Sequence, residues 1–323
     1  MNEKYYAAYL NREEQLKLSS SGGLSYAISE QVILSGGVVF GVKYSEDFFG
    51  AKYIRVDNLK SLSLLNGSKY VTTEKNIDKN IGVFKSVYNE LLDKRKVLFI
   101  GTPCDIGHLI KYLNKKQCDY LENLITLDFI CQGPIKSKVQ KEYIQFLEKK
   151  YNSTVVDFSV RYKHPYWKPV YLRTVFSNGK EHIKPLYNTD FGRAFRIYGL
   201  ERCYNCKFKD TNHCSDITLG DFWGLLPEDK GYNKCGTSVL ILHTNKGEKI
   251  LNELSDVLFF EYDREKAVGS NPMYYESRKR SKEFYKFEKI YSSDGLHKAV
   301  FYTRSFPSKI KYILNLILRK RPY

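Results

Sequence analysis

The chain is expected to fold as a mixed α/β protein, with a βαβ-type sheet core, an antiparallel β insertion and a helical C-terminal extension. Three observations predict this. Apolar strand-like runs at Val38-Val39-Phe40-Gly41-Val42, Lys96-Val97-Leu98-Phe99-Ile100 and Leu124-Ile125-Thr126-Leu127-Asp128-Phe129-Ile130-Cys131 alternate with helical periodicities. Short alternating strands then crowd residues 154–186, and a charge-rich run from Glu276 to Lys289 leads into a basic C-terminal stretch. The expected parts are 1–150 (α/β), 151–260 (β-rich, with a cysteine loop) and 261–323 (basic and helical).

The elements follow in order. Leu24, Ala27, Ile28, Gln31 and Val32 trace one helical face, and Gly36-Gly37 end it before the first strand. Residues 81–93 form an amphipathic helix with Val83, Phe84, Val87, Tyr88, Leu91 and Leu92 on its apolar side. After the second strand comes a helix over Ile106 to Leu113, then the third strand. A helix over Lys136 to Lys150 turns Val139, Tyr143, Phe146 and Leu147 inward. Strands at 155–160 and 171–176, with a turn at Ser177-Asn178-Gly179-Lys180, make up the insertion. Ser238 to Leu242 is a further strand, and a helix is expected from Gly247 to Leu258.

Hydrophobic content of 42% and charged content of 27% are those of a globular chain, so disorder is not the expectation. The net charge is +16; residues 270–323 hold thirteen Lys/Arg against four Asp/Glu and so carry +9 of it. That points to an anionic partner, and because no nucleic-acid recognition module accompanies the charge, nucleic acid is set aside. The start lacks an apolar signal segment, and no run of about eighteen apolar residues exists to span a bilayer. Seven cysteines in such a chain read as reduced thiols rather than a disulfide framework, and the expected location is cytoplasmic. Residues 308–321 mix Ile310, Ile313, Leu314, Ile317 and Leu318 with lysines and arginines. They are a candidate for peripheral contact with an anionic membrane at its inner face, or for docking on the protein itself or on a twin in a homodimer.

Four stretches carry candidate chemistry. Ser20-Ser21-Gly22-Gly23 opens a helix, where free N–H groups suit a phosphate, although serine capping explains the same pattern. Gly67-Ser68-Lys69-Tyr70 places a lysine among small residues, able to pair with phosphate or a reduced flavin, or else to sit in an exposed turn. Cys104, after Gly101-Thr102-Pro103, and Cys131 stand at the carboxyl ends of two successive strands of one β-α-β unit. In open α/β sheets that edge binds ligands, so the two are expected to be neighbours. Cys203-x-x-Cys206, followed by Cys214, has the spacing of a metal site, an iron–sulfur cluster or a disulfide.

In this order the motifs resemble the coenzyme F420 hydrogenase/dehydrogenase beta-subunit family. They comprise Ser-Ser-Gly-Gly at 20–23, Gly-Ser-Lys-Tyr at 67–70, Gly-Thr-Pro-Cys at 101–104 and Asp128 to Cys131. Arg161-x-Lys163 with Trp167, Cys203-x-x-Cys206 and Ser215 to Trp223 complete the series. The resemblance covers about residues 15 to 250. It implies a protein that binds FAD and a [4Fe–4S] cluster and passes electrons between a hydride carrier, coenzyme F420 or NAD(P)H, and a one-electron partner, a redox protein or small carrier. Residue by residue, it implies Cys104, Cys131, Cys203 and Cys206 as cluster ligands. Ser20, Ser21, Gly22, Gly23, Gly67, Ser68, Lys69, Tyr70, Thr102 and Lys163 are the implied cofactor-binding residues, and no acid–base pair stands out. The 1–150 part is then the flavin-binding one.

The chain departs from the family pattern in lacking a ferredoxin-like module and in having Asp105 and Gln132 after two of the cysteines. Cys214 lies near enough in sequence to substitute as a ligand, while Cys118 and Cys235 are ordinary thiols. Members without the ferredoxin module resemble proteins of capsule and exopolysaccharide loci, which suggests a setting in polysaccharide biosynthesis. The alternative reading is a non-redox accessory protein of a membrane-associated glycan system, with structural zinc on the cysteines and a degenerate flavin site.

Overall fold

Strands buried on both faces read as unbroken apolar runs, and here they build the centre of a large mixed sheet. The computed structural model describes residues 3–78, 80–305 and 310. Its strands are β1 (Lys4–Leu10), β2 (Val38–Tyr44), β3 (Ala51–Val56), β4 (Thr73–Glu74), β5 (Asn76–Asp78), β6 (Ile81–Gly82) and β7 (Val97–Ile100). There follow β8 (Leu124–Phe129), β9 (Val155–Tyr162), β10 (Tyr171–Phe176), β11 (Glu181–Pro185), β12 (Ile217–Asp221), β13 (Ser238–Leu242) and β14 (Val257–Tyr262). Nine of them form one sheet in the order β14-β1-β13-β12-β8-β7-β2-β3-β4. The middle four, β12, β8, β7 and β2, run parallel. The strands added beyond β12 and β2 are antiparallel to their neighbours, apart from the short parallel pair β3–β4.

Alternation along these strands sorts the two faces. Val39, Leu98, Ile100, Ile125 and Leu127 pack with Leu24, Ala27, Ile28 and Val32 of the helix Leu24–Leu34. Val38, Phe40, Val97, Phe99 and Leu124 pack instead with the helices Val83–Leu92 and Pro103–Lys115. A third layer holds the small sheet β11-β10-β9, the helices Ser137–Tyr151 and Asp190–Ile197, and the C-terminal helix Phe284–Tyr302, which breaks at Gly295 with φ +80°.

The expected fold class holds, with some differences in detail. The helix expected to run to Leu258 stops at Asn252, and Val257–Tyr262, rich in β-favouring residues, becomes the edge strand β14. Strand β1, between β13 and β14, has no counterpart in the sequence reading, because its alanines and tyrosines carry little apolar contrast although both of its faces are buried. Phe146 does not face inward; it is 40% exposed and stacks on His297, and Leu92 at a helix end is also exposed. Strands β12 to β14 join the same sheet as β1 to β4, β7 and β8, so residue 150 does not separate two sheets. The expected helix over 308–321 lies outside the described residues, Ile310 excepted.

The Ser20–Gly23 loop is pinned between β1 and β13. Leu10 N–H donates to Gly22 O at 2.7 Å, and Gly22 N–H donates to Ser238 Oγ at 2.9 Å. A Cβ on Gly22 would stand 2.3 Å from Ala8 O and 2.7 Å from Ser238 N, so only glycine lets the loop approach the sheet this closely. Gly22→Ala is expected to lower stability by about 1–3 kcal/mol or more, as overpacking does. Thermal unfolding of the variant against wild type checks this.

Candidate functional site

The parallel strands aim their carboxyl ends at one edge, and the motif residues gather along it. Cys104 lies in the first turn of the helix that follows β7, Cys131 two residues past β8, and Asp221 at the end of β12. Ser238, paired in register with both Asp221 and Ala8, brings the Ser20–Gly23 loop to the same edge.

At its centre is Arg161, in the left-handed region at φ +68° near the end of β9. Its side chain is buried. Nη1 donates to Asp221 Oδ2 at 2.6 Å and to Tyr70 Oη at 3.3 Å, and Nη2 donates to Asp221 Oδ1 at 2.7 Å. Nη2 and Nε also donate to Ser20 O, at 3.1 and 3.3 Å. These contacts match the five N–H donors of a guanidinium. Burial pulls its pKa down, but Asp221 and Tyr70 outweigh that, and the net shift is upward. One side chain therefore ties together the 20–23 loop, the 67–70 loop, the insertion and the end of β12.

The two small-residue motifs do meet: Ser68 Oγ donates to Ser20 Oγ at 2.8 Å, and Tyr70 stacks on Phe195 with ring centres 4.5 Å apart. Gly67, at φ +79°, turns the second loop. Gly23, not a serine, occupies the N-cap of the helix Leu24–Leu34, so serine capping does not explain the first motif. Ser21 Oγ donates to Thr237 O. The two lysines are tied to carbonyls. Lys69 Nζ donates to the carbonyls of Leu65, Asn66 and Gly67, and Lys163 Nζ to those of Leu16 and Ser21. Burial pushes each lysine down to about 7.

The second half of the edge is a cluster of thiols from three parts of the chain. Gly133, at φ +94°, sits between two of them: its N–H donates to Cys131 Sγ at 3.3 Å, and a Cβ on it would lie 2.7 Å from Cys203 Sγ. Cys104, Cys131 and Cys203 are mutual electrostatic neighbours, and Cys206 neighbours Cys203. Phe208 of the same loop packs on Gly107, one turn along the helix from Cys104, and Thr102 Oγ1 lies 3.1 Å from Cys104 Sγ. Lys209 Nζ donates to the carbonyls of Cys131 and Met273 at 2.7 and 2.6 Å, and its charge acts on Cys131, Cys206 and Cys203. Burial pushes the Cys131 thiol up to about 12 and raises Cys104 and Cys203.

Cys214 is exposed, with Asp128 as its electrostatic neighbour, and Cys118 and Cys235 are buried. Among the described residues, no group of three or more His, Cys, Asp or Glu stands close enough to hold a metal ion. A four-iron cluster takes one thiolate on each iron, and the set of four soft donors, with Gly133 leaving space between two of them, fits such a group.

The sequence reading singled out Lys163 for its charge, whereas Arg161 and Asp221 hold the site together. Arg-x-Lys in one motif and Asp221 in another were the available signals, but their pairing across 60 residues is a tertiary fact. Asp216, in the same motif as Asp221, has a structural role. It accepts from Thr126 N and Oγ1, both at 2.8 Å, and staples β8 to β12.

The fold and this edge define a mixed α/β protein that gathers thiols and serine–glycine loops at the carboxyl ends of its parallel strands. Residues 94–267, more than half of the chain, match the family model for the C terminus of the coenzyme F420 hydrogenase/dehydrogenase beta subunit, and the chain belongs to that family. It is similar in fold to a chain of the xenon-derivatised F420-reducing [NiFe] hydrogenase complex from Methanosarcina barkeri. That likeness has a TM-score of 0.55 at 14% identity and covers 80% of this chain and 81% of that one. No curated protein matches the chain. No helix among the described residues is long and apolar enough to cross a membrane.

Breaking the buried pair from one side, by Arg161→Leu or Asp221→Leu, is expected to cost about 3–5 kcal/mol, and the double variant less than the sum. Denaturant unfolding of the three variants checks it. Lys163 loses its proton near pH 7 when folded but only near its ordinary value when unfolded. Between those values the unfolded chain binds more protons, so stability should rise with pH, by up to about 1.4 kcal/mol per unit. The penalty is fully present below pH 7. Lys163→Met should flatten that rise when unfolding is measured from pH 7 to 9.

Proposed function

We propose that the chain is a flavin- and iron–sulfur-dependent oxidoreductase linking a hydride carrier, coenzyme F420 or NAD(P)H, to a one-electron partner protein or small carrier. The observation that carries this reading is the approach of Cys104, Cys131 and Cys203 to one another from three distant stretches, with Cys206 beside Cys203 and Gly133 between Cys131 and Cys203. When bound there, a [4Fe–4S] cluster would supply one-electron storage, and FAD beside it would convert two-electron into one-electron transfer.

The chain's own residues do the rest. The four cysteines bind as thiolates, so loading the site releases the protons that burial holds on Cys104, Cys131 and Cys203. Lys209, anchored on Cys131 O and Met273 O, offsets the negative charge that collects there. Gly133 N–H donates to Cys131 sulfur, a contact that tunes a cluster's potential. On the other half of the edge, Ser20, Ser21, Gly22, Gly23, Gly67, Ser68, Lys69, Tyr70 and Thr102 form the proposed flavin wall. Arg161, Asp221 and Lys163 hold that wall in place. A role in polysaccharide biosynthesis at the inner membrane face, with residues 308–321 as the contact, belongs to the same proposal.

Anaerobic purification, an absorbance spectrum, and iron, sulfide and zinc analysis test the reading. About four irons and bound FAD are expected, whereas a colourless protein holding only zinc would replace it with the structural-zinc alternative. Cys203→Ser, Cys206→Ser, Cys104→Ser and Cys131→Ser should each lose most of the iron, while Cys214→Ser should keep it. Iron loss in the Cys214 variant together with full iron in Cys131→Ser would reassign the fourth ligand.

A further inference from the structure

Past the residues that match the family model, the chain returns to the cysteine loop. Residues 276–283 link the helices Pro272–Tyr275 and Phe284–Tyr302, and they lie along that loop as a strap. Cys206 N–H donates to Ser277 Oγ at 2.8 Å, and Ser277 Oγ donates to Cys206 O at 3.3 Å. Arg280 pairs with Glu201, and its Cζ stands 4.8 Å from the centre of the Tyr204 ring. Between these two anchors in sequence is Arg278, which is 4% exposed.

Its guanidinium packs into the turn that carries Cys203. A Cβ on Gly199 would stand 2.9 Å from Arg278 Cδ, Nε and Cζ, so only glycine leaves the space that the side chain fills. Cys203 N–H donates to Leu200 O at 2.9 Å, and the centre of the next ring, Tyr204, lies 5.9 Å from Arg278 Cζ. Tyr204 Oη accepts from Gly199 N–H at 2.9 Å, which closes the turn on itself. Arg278 Nη2 donates to Phe195 O, but Nε and Nη1 are buried with no acceptor. Among the described residues no carboxylate acts on this charge: burial lowers its pKa, and the groups that oppose the fall are the Tyr204 phenol and the Cys203 thiol. A buried cation without a partner is costly, so this one calls for an anion that the protonated thiols do not supply.

We propose that Arg278 is the buried counter-charge of Cys203 in its metal-bound, thiolate form, and that it makes an iron–sulfur group on the cysteines easier to reduce. Cysteine binds a metal as the thiolate, so loading the site brings the missing anion beside Arg278. The interaction is mutual, since the charge of Arg278 acts on Cys203 in return. Lys209, also buried, stands to Cys131 as Arg278 stands to Cys203, so two buried cations from different segments serve one set of thiols. A cluster on four thiolates is anionic, and an added electron makes it more so; a fixed cation at a low-dielectric site favours the reduced form. Arginine suits the place because it stays charged when desolvated and its flat group lies beside the rings of Phe195 and Tyr204. Arg278 is thus a positioning residue that acts through Cys203. Its role rests on the proposed function in one respect, that the four cysteines hold a metal group.

The midpoint potential reports on such a charge directly. The full-length protein is reconstituted anaerobically with ferrous iron and sulfide, and the bound iron is titrated with dithionite under absorbance and EPR. Arg278→Gln is expected to move the reduction equilibrium about tenfold toward the oxidised form, about 59 mV downward for a one-electron couple. Arg278→Met, which fills the same space without charge, should shift it likewise, while Arg278→Lys stays within about threefold of wild type. A purely structural arginine would lower Tm in all three variants and leave the potential of the retained iron alone. An unchanged potential in the neutral variants, or an equal shift in Arg278→Lys, overturns the counter-charge. A protein that takes up zinc and no iron removes the cluster reading, and zinc affinity under chelator competition then decides about Arg278. Binding about tenfold weaker in Arg278→Gln than in Arg278→Lys upholds the counter-charge, and equal binding overturns it. A chain that takes up neither metal overturns both readings.

Discussion

One buried guanidinium holds this architecture together. Arg161 leaves the small antiparallel sheet in a left-handed conformation and ends between a carboxylate on the large sheet and the carbonyl of Ser20. A non-glycine residue in that region costs about 1–3 kcal/mol, and it persists only where its surroundings over-determine it. Partners for all the guanidinium donors do so here. Without Asp221 the charge would be stranded in a low-dielectric site, and the insertion would lose its main polar tie to the edge where the motifs collect. The same interaction sets the shape of the candidate site, since it fixes the distance between the serine–glycine loops and the end of β12.

The parallel strands give the edge its chemistry. Because β2, β7, β8 and β12 point the same way, whatever follows each strand emerges at one side of the sheet, where backbone groups are no longer paired within the ladder. Cys104 and Cys131 follow adjacent strands and are neighbours for that reason alone. The Cys203–Cys206 loop reaches them from a different layer, guided by Phe208 on Gly107 and by Lys209 on the carbonyls of Cys131 and Met273. Glycine at 133 leaves room where any side chain would strike Cys203 sulfur. Thiols and serine–glycine loops thus share an edge without sharing residues, and the stacked tryptophan pair, Trp167 and Trp223, borders the loop side.

Much of this was legible in the chain itself. Buried strands announced themselves as apolar runs, the helices between them by period, and the turn at Ser177–Lys180 by its residues. What failed was informative. Val257 and Leu258, which open strand β14, were read as the end of the preceding helix because they follow a genuine helical pattern, and only pairing with β1 fixes them as strand. Strand β1 itself, with its alanines and tyrosines, carried too little contrast. Phe146 was placed inward by helical spacing, but the stripe on that helix is narrower than its apolar content, and the ring finds His297 instead.

The sequence by itself determined the fold class and the family resemblance, since apolar patterning, motif spacing and chain order are local properties. Tertiary structure alone decided which polar groups face one another. Lys69 and Lys163 looked like free cations and are held by carbonyls, while Arg161 and Asp221, 60 residues apart, form the pair on which the site rests. Likewise two tryptophans 56 positions apart become one stacked surface. The physical reason is the same in each case: a side chain's partner is set by burial and by the direction its backbone gives it, and neither is encoded within reach of its own neighbours.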